Sequence, residues 1–352
     1  ARNDVARRVQ VKPEAGQPVV VFNDLSWDRW GTTRFHLALP TRGAVALSLK
    51  DARGRDVPHQ LSNVERYEEN SLKEADVTAL VETPSLGYTT VYIRGGGTKP
   101  HALADAVPDV LDTPFHRLTF EGGRLTSLED RQTGLVLADP NVVRFYAIED
   151  TGPYHFGPLR EVHEPEPLGL AVLESGPLFT TVRQLSRVGP HHLTQDLTVW
   201  QHEPGVDFVT TIDSVGGDGF FKVHFEMPVD GALNVDVPFG VEPRDVTAEP
   251  YGEILERRRE NVFYGSTWVD CSDGARGMAL LIEPGMQGFS FDPETRVLAH
   301  TLLKVIVHPT EGWERHATRL REGKGRQVFR YRLLPHLGDW REAGLPRQSL
   351  AW

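Results

Sequence analysis

The sequence has 352 residues, of which 39% are hydrophobic and 25% charged, an ordinary composition for a globular protein with room for more than one domain. A formal net charge of −11 disfavours contact with a phosphate backbone, so we expect no nucleic-acid partner. No apolar run approaches the roughly 18 residues of a membrane-spanning helix, and the first residues lack the apolar centre of a signal peptide. We therefore expect no membrane association.

The N-terminal residues Ala1–Val9 are typical of the last turns of a helix. Because the chain also opens on alanine rather than methionine, this pattern predicts a piece of a longer protein, with residues 1–12 as the remnant of a helical segment. The lone cysteine, Cys271, cannot form an internal disulfide, which favours a reducing compartment. We expect a cytoplasmic protein in which Cys271 is a packed residue rather than a nucleophile.

The pattern along the chain is that of an all-β protein. Strand-like runs recur about every 8–12 residues between turn-forming residues, as in sandwiches and barrels. Residues 13–98 predict a small β-sandwich with a hairpin turn at Asp51–Gly54, and the glycines at 95–97 predict a linker.

Residues 107–352 predict a large β-sandwich. In this part we expect a strand at Arg131–Leu137 and a last strand that stops at Pro335. Glu253–Arg259 offers the one short helical turn, although a loop is equally compatible with it.

No complete catalytic or metal site is evident, and we assign no catalytic residue and no metal ligand to this chain. The 14 histidines are scattered, and the adjacent pair His191-His192 would point to opposite faces of a strand. Glycoside hydrolysis needs two carboxyl groups, but Glu149-Asp150 and the pair Glu164/Glu166 are better explained as solvated loop residues. No serine stands in a nucleophile elbow.

Residues 149–158 form the most unusual string. Two Gly-Pro pairs enclose Tyr154, His155 and Phe156 after the acidic residues Glu149 and Asp150. An exposed aromatic ring in a loop with a nearby hydroxyl and imidazole suits a sugar, whose ring has an apolar face and polar edges. A loop anchored by buried aromatic side chains is the alternative.

Several strings together resemble glycoside hydrolase family 38, the α-mannosidase family. The entry string contains Phe22-Asn23-Asp24-Leu25-Ser26-Trp27, close to the family's Phe-Asn-Pro-Leu-Ser-Trp, and the last contains Pro335-His336-Leu337-Gly338-Asp339-Trp340. The six strings occur in the family's order at residues 18–29, 51–60, 84–88, 238–244, 277–281 and 329–340.

The resemblance implies that the chain covers the family's two C-terminal β-domains, a small sandwich and a large galactose-mutarotase-like sandwich. It implies a zinc-dependent, retaining α-mannosidase whose zinc ligands and nucleophile lie in an N-terminal catalytic domain outside this sequence, so no cofactor is expected in this chain and the chain alone should be inactive. The expected partners are a mannose-containing glycan and the protein's own catalytic domain, with a homo-oligomer possible.

Residues 152–158 resemble the family's Gly-X-Tyr-X-Phe-X-Pro loop, although Pro153 replaces the usual small residue. Tyr154 is therefore the expected substrate contact, with His155 and Asp150 beside it. Two other functions stay open: a stand-alone carbohydrate-binding module, and a sugar mutarotase that uses His155 with Glu149 or Asp150 as base and acid.

Overall fold

The computed structural model describes residues 2–96, 106–149, 159–244, 261–305 and 323–352. The chain divides into two compact units. Unit 1 comprises Ala1–Ala104 and Glu174–Thr180, and unit 2 comprises Asp105–Leu173 and Thr181–Trp352. The sequence did not predict that the chain returns to unit 1 at Glu174–Thr180, within the part expected to form the large sandwich.

Unit 1 begins with a short helix, α1 (Arg2–Ala6), and a 3-10 turn at Pro13–Ala15. Its strands are β1 (Gln17–Phe22), β2 (Arg29–Ala38), β3 (Leu47–Asp51), β4 (His59–Arg66), β5 (Leu72–Thr83) and β6 (Tyr88–Gly95). Among the described residues they form two antiparallel three-stranded sheets, in the orders β1-β6-β3 and β2-β5-β4.

Alternation along β5 builds the core of unit 1. Val77, Ala79 and Val81 point into a buried apolar cluster with residues of β3 and β6, while Leu80 and Glu82 lie on the opposite, outer face of the sheet. The predicted turn at Asp51–Gly54 is confirmed: the Gly54 amide donates to the Asp51 carbonyl oxygen at 3.0 Å, and Gly54 has a φ of 83°.

Unit 2 consists mainly of strands connected by turns. The strands are β7 (Val110–Asp112), β8 (His116–Glu121), β9 (Arg124–Asp130), β10 (Val136–Ala138), β11 (Val142–Ile148), β12 (Leu159–His163), β13 (Pro165–Ser175), β14 (Phe179–Val188), β15 (His191–Trp200), β16 (Val206–Ser214), β17 (Gly219–Glu226), β18 (Ala232–Val237), β19 (Gly240–Arg244), β20 (Asn261–Gly265), β21 (Trp268–Ser272), β22 (Arg276–Ile282), β23 (Gln287–Asp292), β24 (Val297–Val305) and β25 (Gly325–Leu337). A C-terminal helix, α2 (Leu345–Ala351), follows.

The described strands of unit 2 form antiparallel sheets of four, six and nine strands. Their orders are β10-β9-β8-β7, β12-β11-β17-β24-β23-β20 and β13-β14-β15-β16-β25-β22-β21-β18-β19. Phe221 and Phe225 from the six-stranded sheet and Phe208 and Tyr331 from the nine-stranded sheet belong to one buried apolar cluster. The all-β fold expected from the sequence is therefore confirmed, with a two-sheet core in the larger part of the chain.

Two local predictions were wrong. Residues 131–135 form a turn, and only Val136–Ala138 form a strand, because Asp130 closes the turn by accepting from the amide and hydroxyl of Thr133 at 2.7 and 2.6 Å.

The last strand also does not stop at Pro335, which pairs with Met278 inside β25. The pairing of β25 with β16 ends at Leu333. Beyond Leu333 the edge of β25 that faced β16 is unpaired with that strand, so Pro335, which has no amide hydrogen, is tolerated there.

Neither helix in the described part of the chain has the length and hydropathy needed to cross a membrane.

Candidate functional site

The site residues expected from the sequence, Tyr154, His155 and Asp150, lie outside the described residues. The segment that contains them joins the end of β11 at Ile148 to the start of β12 at Leu159. The six-stranded sheet of unit 2 therefore supplies both strands that flank this segment.

The carboxylates near this segment are in exposed ion pairs. Glu149 lies 3.8 Å from Arg160, Glu164 lies 2.6 Å from Arg144, and Glu166 pairs with an arginine in the same way. All three glutamates are exposed, as expected for solvated residues, although Glu166 lies in strand β13 rather than in a loop.

Strand β17 presents an unusual face of the six-stranded sheet. Its Phe221, Val223 and Phe225 point into the core, so Phe220, Lys222 and His224 point to the opposite face by alternation. This second face is also buried, and Lys222 is only 5% exposed. A buried lysine is rare unless its charge is compensated.

Lys222 is held by a hydroxyl group and two aromatic rings. Its Nζ donates to Ser290 Oγ at 2.8 Å and lies 5.5 Å and 5.3 Å from the ring centres of Tyr146 and Phe220. The two rings are stacked at 5.2 Å with an angle of 11° between them. Contact with aromatic faces stabilises a desolvated cation by about 2 kcal/mol.

His224 completes this group, which we term the Lys222 cluster (Tyr146, Phe220, Lys222, His224 and Ser290). His224 Nδ1 lies 3.1 Å from the carbonyl oxygen of Val142, and Nε2 lies 2.8 Å from the Tyr146 hydroxyl. A carbonyl oxygen only accepts, so Nδ1 carries a proton and donates to Val142, and Nε2 is hydrogen-bonded to the Tyr146 hydroxyl. Both nitrogens are therefore used in holding the ring, and His224 is poorly placed to act as a general base.

The sequence contained a weak signal for this cluster that was not used. Lys222 and His224 alternate with phenylalanine and valine in a run expected to be a strand, which indicates a buried face carrying polar groups. Tyr146 and Ser290 lie on strands far from β17 in sequence. They come close to Lys222 only because β11 and β24 pair with β17, and β23 pairs with β24.

A second buried polar group could be mistaken for a nucleophilic triad. Ser272 Oγ donates to Asp270 Oδ2 at 2.8 Å, and His336 Nε2 lies 2.8 Å from Asp270 Oδ1. The carboxylate thus stands between the hydroxyl and the imidazole, whereas a triad needs the imidazole next to the serine. This arrangement compensates a buried carboxylate and activates no nucleophile.

Cys271 and the adjacent pair His191-His192 are placed as the sequence indicated. Cys271 is buried, and burial raises the pKa of its thiol. His191 is buried and His192 exposed, so the two do not share a face of β15. Over the residues that the structure describes, no three histidine, cysteine or acidic side chains are grouped so as to hold a metal ion. The described side chains therefore do not fit a zinc site.

Comparison with known proteins identifies the family. The profile described as "Glycosyl hydrolases family 38 C-terminal domain" matches residues 111–311, more than half of the chain. The chain belongs to this family. The resemblance found in the sequence strings is thereby confirmed.

Two solved structures from Enterococcus faecalis share the fold of this family 38 chain. An α-mannosidase from strain V583 has a TM-score of 0.71 at 15% sequence identity, over 96% of this chain and 45% of its own length. A protein in glycosyl hydrolase family 38 has a TM-score of 0.69 at 15% identity, over 96% of this chain and 46% of its own length. The present chain thus spans less than half of each, and identity this low shows the fold alone. No curated protein sequence matches the chain.

Proposed function

We propose that this chain is the C-terminal, non-catalytic part of a zinc-dependent, retaining α-mannosidase. In that protein it would support the catalytic domain and contribute Tyr154, with His155 and Asp150, to the pocket for a mannose-containing glycan. The observation that carries the proposal is the family 38 C-terminal match over residues 111–311, and the Lys222 cluster lies in the same sheet as the two strands that flank residues 149–158.

The cluster suits a supporting role beside a sugar pocket. It is buried, and its stacked aromatic pair, ammonium group and imidazole contact one another, so it would hold the sheet under the flanking strands in place rather than touch the sugar itself. Its cation would also make the local potential positive, which favours a neighbouring carboxylate in its ionised form.

The chemistry itself is assigned to another part of the protein. Retention needs one carboxylate that attacks the anomeric carbon and a second carboxyl group that protonates the leaving oxygen. The Lys222 cluster contains neither, and the described side chains do not form a set of ligands for zinc. The zinc ligands and both carboxylates would belong to the N-terminal catalytic domain.

The first experiment compares this chain with the full-length product of the same gene on a nitrophenyl α-mannoside. The full-length protein should hydrolyse it with retention of configuration and lose activity when zinc is chelated, and this chain alone should show no turnover. Turnover that co-elutes with this chain in gel filtration, or a full-length protein without glycosidase activity, would contradict the proposal.

A second experiment tests the site in the full-length protein. Tyr154→Ala should lower kcat/KM by about tenfold or more, because a contact to the reacting sugar contributes to transition-state binding. Lys222→Met keeps the aliphatic stem but removes the ammonium group that donates to Ser290, so it should lower kcat/KM, and urea unfolding of the variant separates this effect from a loss of stability. His192→Ala, an exposed change on another sheet, is the matched control.

The outcomes separate the alternatives. Sugar binding without hydrolysis by the full-length protein would favour a carbohydrate-binding module. Accelerated anomerisation of mannose in a polarimeter would favour a mutarotase. Equal kcat/KM for Tyr154→Ala and the unmodified enzyme would remove Tyr154 from the site.

A further inference from the structure

We propose that unit 1 carries a separate binding site for a neutral pyranose ring, centred on Trp30. This site lies at the Trp30–Glu82 end of β2 and β5, next to the turn between β3 and β4. It shares no residue with the pocket proposed above and does not depend on it.

Trp30 is 62% exposed, although a tryptophan usually buries most of its large apolar surface. In the register of β2 with β5 it stands opposite Glu82, on the face that points away from the core of unit 1. Farther along the same face, the Gln60 side chain accepts hydrogen bonds from the amides of Leu178 and Phe179. The outer face is thus covered at one end and open at Trp30.

A groove of about 210 Å³ lies beside the indole of Trp30. Its apolar lining includes Val57, Pro58 and Val91, and its polar lining includes Arg55 and Glu82. A volume below the roughly 300–1,000 Å³ of drug-sized pockets suits a single ring rather than an extended ligand.

Some polar groups of the groove are held by hydrogen bonds within the protein, and others could bind a ligand. Asp51 holds Arg55 through a hydrogen bond of 2.6 Å to Nε, so the guanidinium is oriented at the rim. Arg55 Nη2 lies 3.6 Å from Glu82 Oε2, too far for a hydrogen bond. A sugar hydroxyl beside this pair, about 2.8 Å from each atom, would donate to Glu82 and accept from Arg55.

The charges of the groove select against most other ligands. The carboxylates of Asp51, Asp56 and Glu82 outnumber the cations of Arg55 and Lys50 at this surface, which disfavours phosphates and other anions. The apolar area is too small for a protein interface of standard size, which buries about 800 Å² on each partner. A flat indole with both donors and acceptors beside it matches a sugar ring.

The test is an NMR titration of the ¹⁵N-labelled chain with mannotriose, with cellotriose as a second neutral glycan. The indole N–H resonance of Trp30, assigned with Trp30→Phe, should shift with saturation in the millimolar range. Trp30→Ala should weaken binding at least tenfold, and Arg55→Ala several-fold. Leu86→Ala removes another exposed apolar side chain of unit 1 and should leave binding unchanged.

The result also distinguishes this site from the proposed pocket. Tyr154→Ala should leave the Trp30 shift intact, whatever its effect on activity. A Trp30 resonance that moves with neither glycan would overturn the inference, as would equal binding by Trp30→Ala. A shift that inorganic phosphate causes and the glycans do not would overturn it as well.

Discussion

Arg332 of β25 and Asp207 of β16 face each other across neighbouring strands and share two hydrogen bonds, at 2.6 and 2.7 Å. The same carboxylate accepts from the indole nitrogens of Trp200 and Trp352, each at 2.7 Å. Burial lowers the pKa of Arg332, but the carboxylates of Asp207 and Glu203 outweigh this effect, so its pKa is raised and the guanidinium stays charged. The Asp207 carboxylate therefore connects three strands, β15, β16 and β25, and the C-terminal residue.

Replacing Arg332 by alanine should destabilise unit 2 strongly. The change leaves the largely buried Asp207 without its counter-ion, and removal of one partner of such a pair costs about 3–5 kcal/mol. Urea unfolding followed by tryptophan fluorescence would measure the loss in the free energy of unfolding.

Arg330, two residues earlier in β25, provides the matched control. Its ion pair with Glu283, at 3.4 Å, is exposed, so Arg330→Ala should cost less than about 1 kcal/mol. Equal losses in the free energy of unfolding for Arg332→Ala and Arg330→Ala would show that the buried pair stabilises the protein no more than the exposed pair.

The alternation of residues in the sequence predicts which face of a strand is buried, but it does not predict which side chains of neighbouring strands meet. Alternation of Tyr331 and Leu333 with Arg330 and Arg332 predicts one buried and one wet face of the last strand; Tyr331 and Leu333 do point into the core, but Arg332 on the opposite face is buried as well. The difference arises because Asp207 stands opposite Arg332 in the register of β16, and no local pattern reveals a partner 125 residues away.

The same contrast between local sequence patterns and strand pairing applies to the candidate site. Tyr154, His155 and Asp150 came from a local string and stay predictions, since they lie outside the described residues. The Lys222 cluster was missed because its members come from β11, β17 and β23. Such groups require the pairing of strands before they can be recognised.

Gln60 is expected to fix the segment Glu174–Thr180 within unit 1. Its Oε1 accepts from the buried amides of Leu178 and Phe179, at 3.2 Å each. Gln60→Ala would leave both donors unpaired, at a cost of about 1–3 kcal/mol for each. Hydrogen exchange at these two amides should become faster by at least tenfold.

Glu65→Ala tests whether this effect is specific to Gln60. Glu65 lies on the same strand in an exposed ion pair with Lys73, so its removal should leave both exchange rates unchanged. Gly176→Ala should act in the same direction as Gln60→Ala, because a Cβ atom there would lie 2.5 Å from Gln60 Oε1. Slow exchange at both amides in Gln60→Ala would contradict the assignment.

Cys271 should be unreactive in the folded protein. Burial raises the pKa of the thiol, although Arg296 opposes this shift, and the side chain has almost no exposed surface. A thiol reagent such as dithionitrobenzoate should therefore label the native protein at least a hundredfold more slowly than the protein in urea. Rapid labelling without denaturant would show that the strands around Cys271 open readily.

His191 should make the stability of unit 2 dependent on pH. Burial, assisted by the nearby His163, lowers the pKa of His191 from 6.5 to about 4. Between these values the unfolded chain binds a proton that the folded chain does not, so stability is complete above pH 6.5 and falls as the pH falls towards 4. At pH 5 the expected loss relative to pH 7 is about 2 kcal/mol from this group.

His191→Phe should remove that part of the pH dependence. The ring would still pack between Phe145 and Phe221, so folding should survive, although the Val215 amide loses its acceptor at 3.3 Å. The free energy of unfolding, measured in urea at pH 7 and at pH 5, should differ between the two pH values by about 2 kcal/mol less in this variant than in the unmodified protein. His192→Ala, one residue along β15 and exposed, should keep the full difference.

Because His300 is buried with a pKa of about 3, it acts in the same direction, and a residual dependence on pH is expected in His191→Phe. An unchanged difference in His191→Phe would mean that His191 is protonated equally in the folded and unfolded chains.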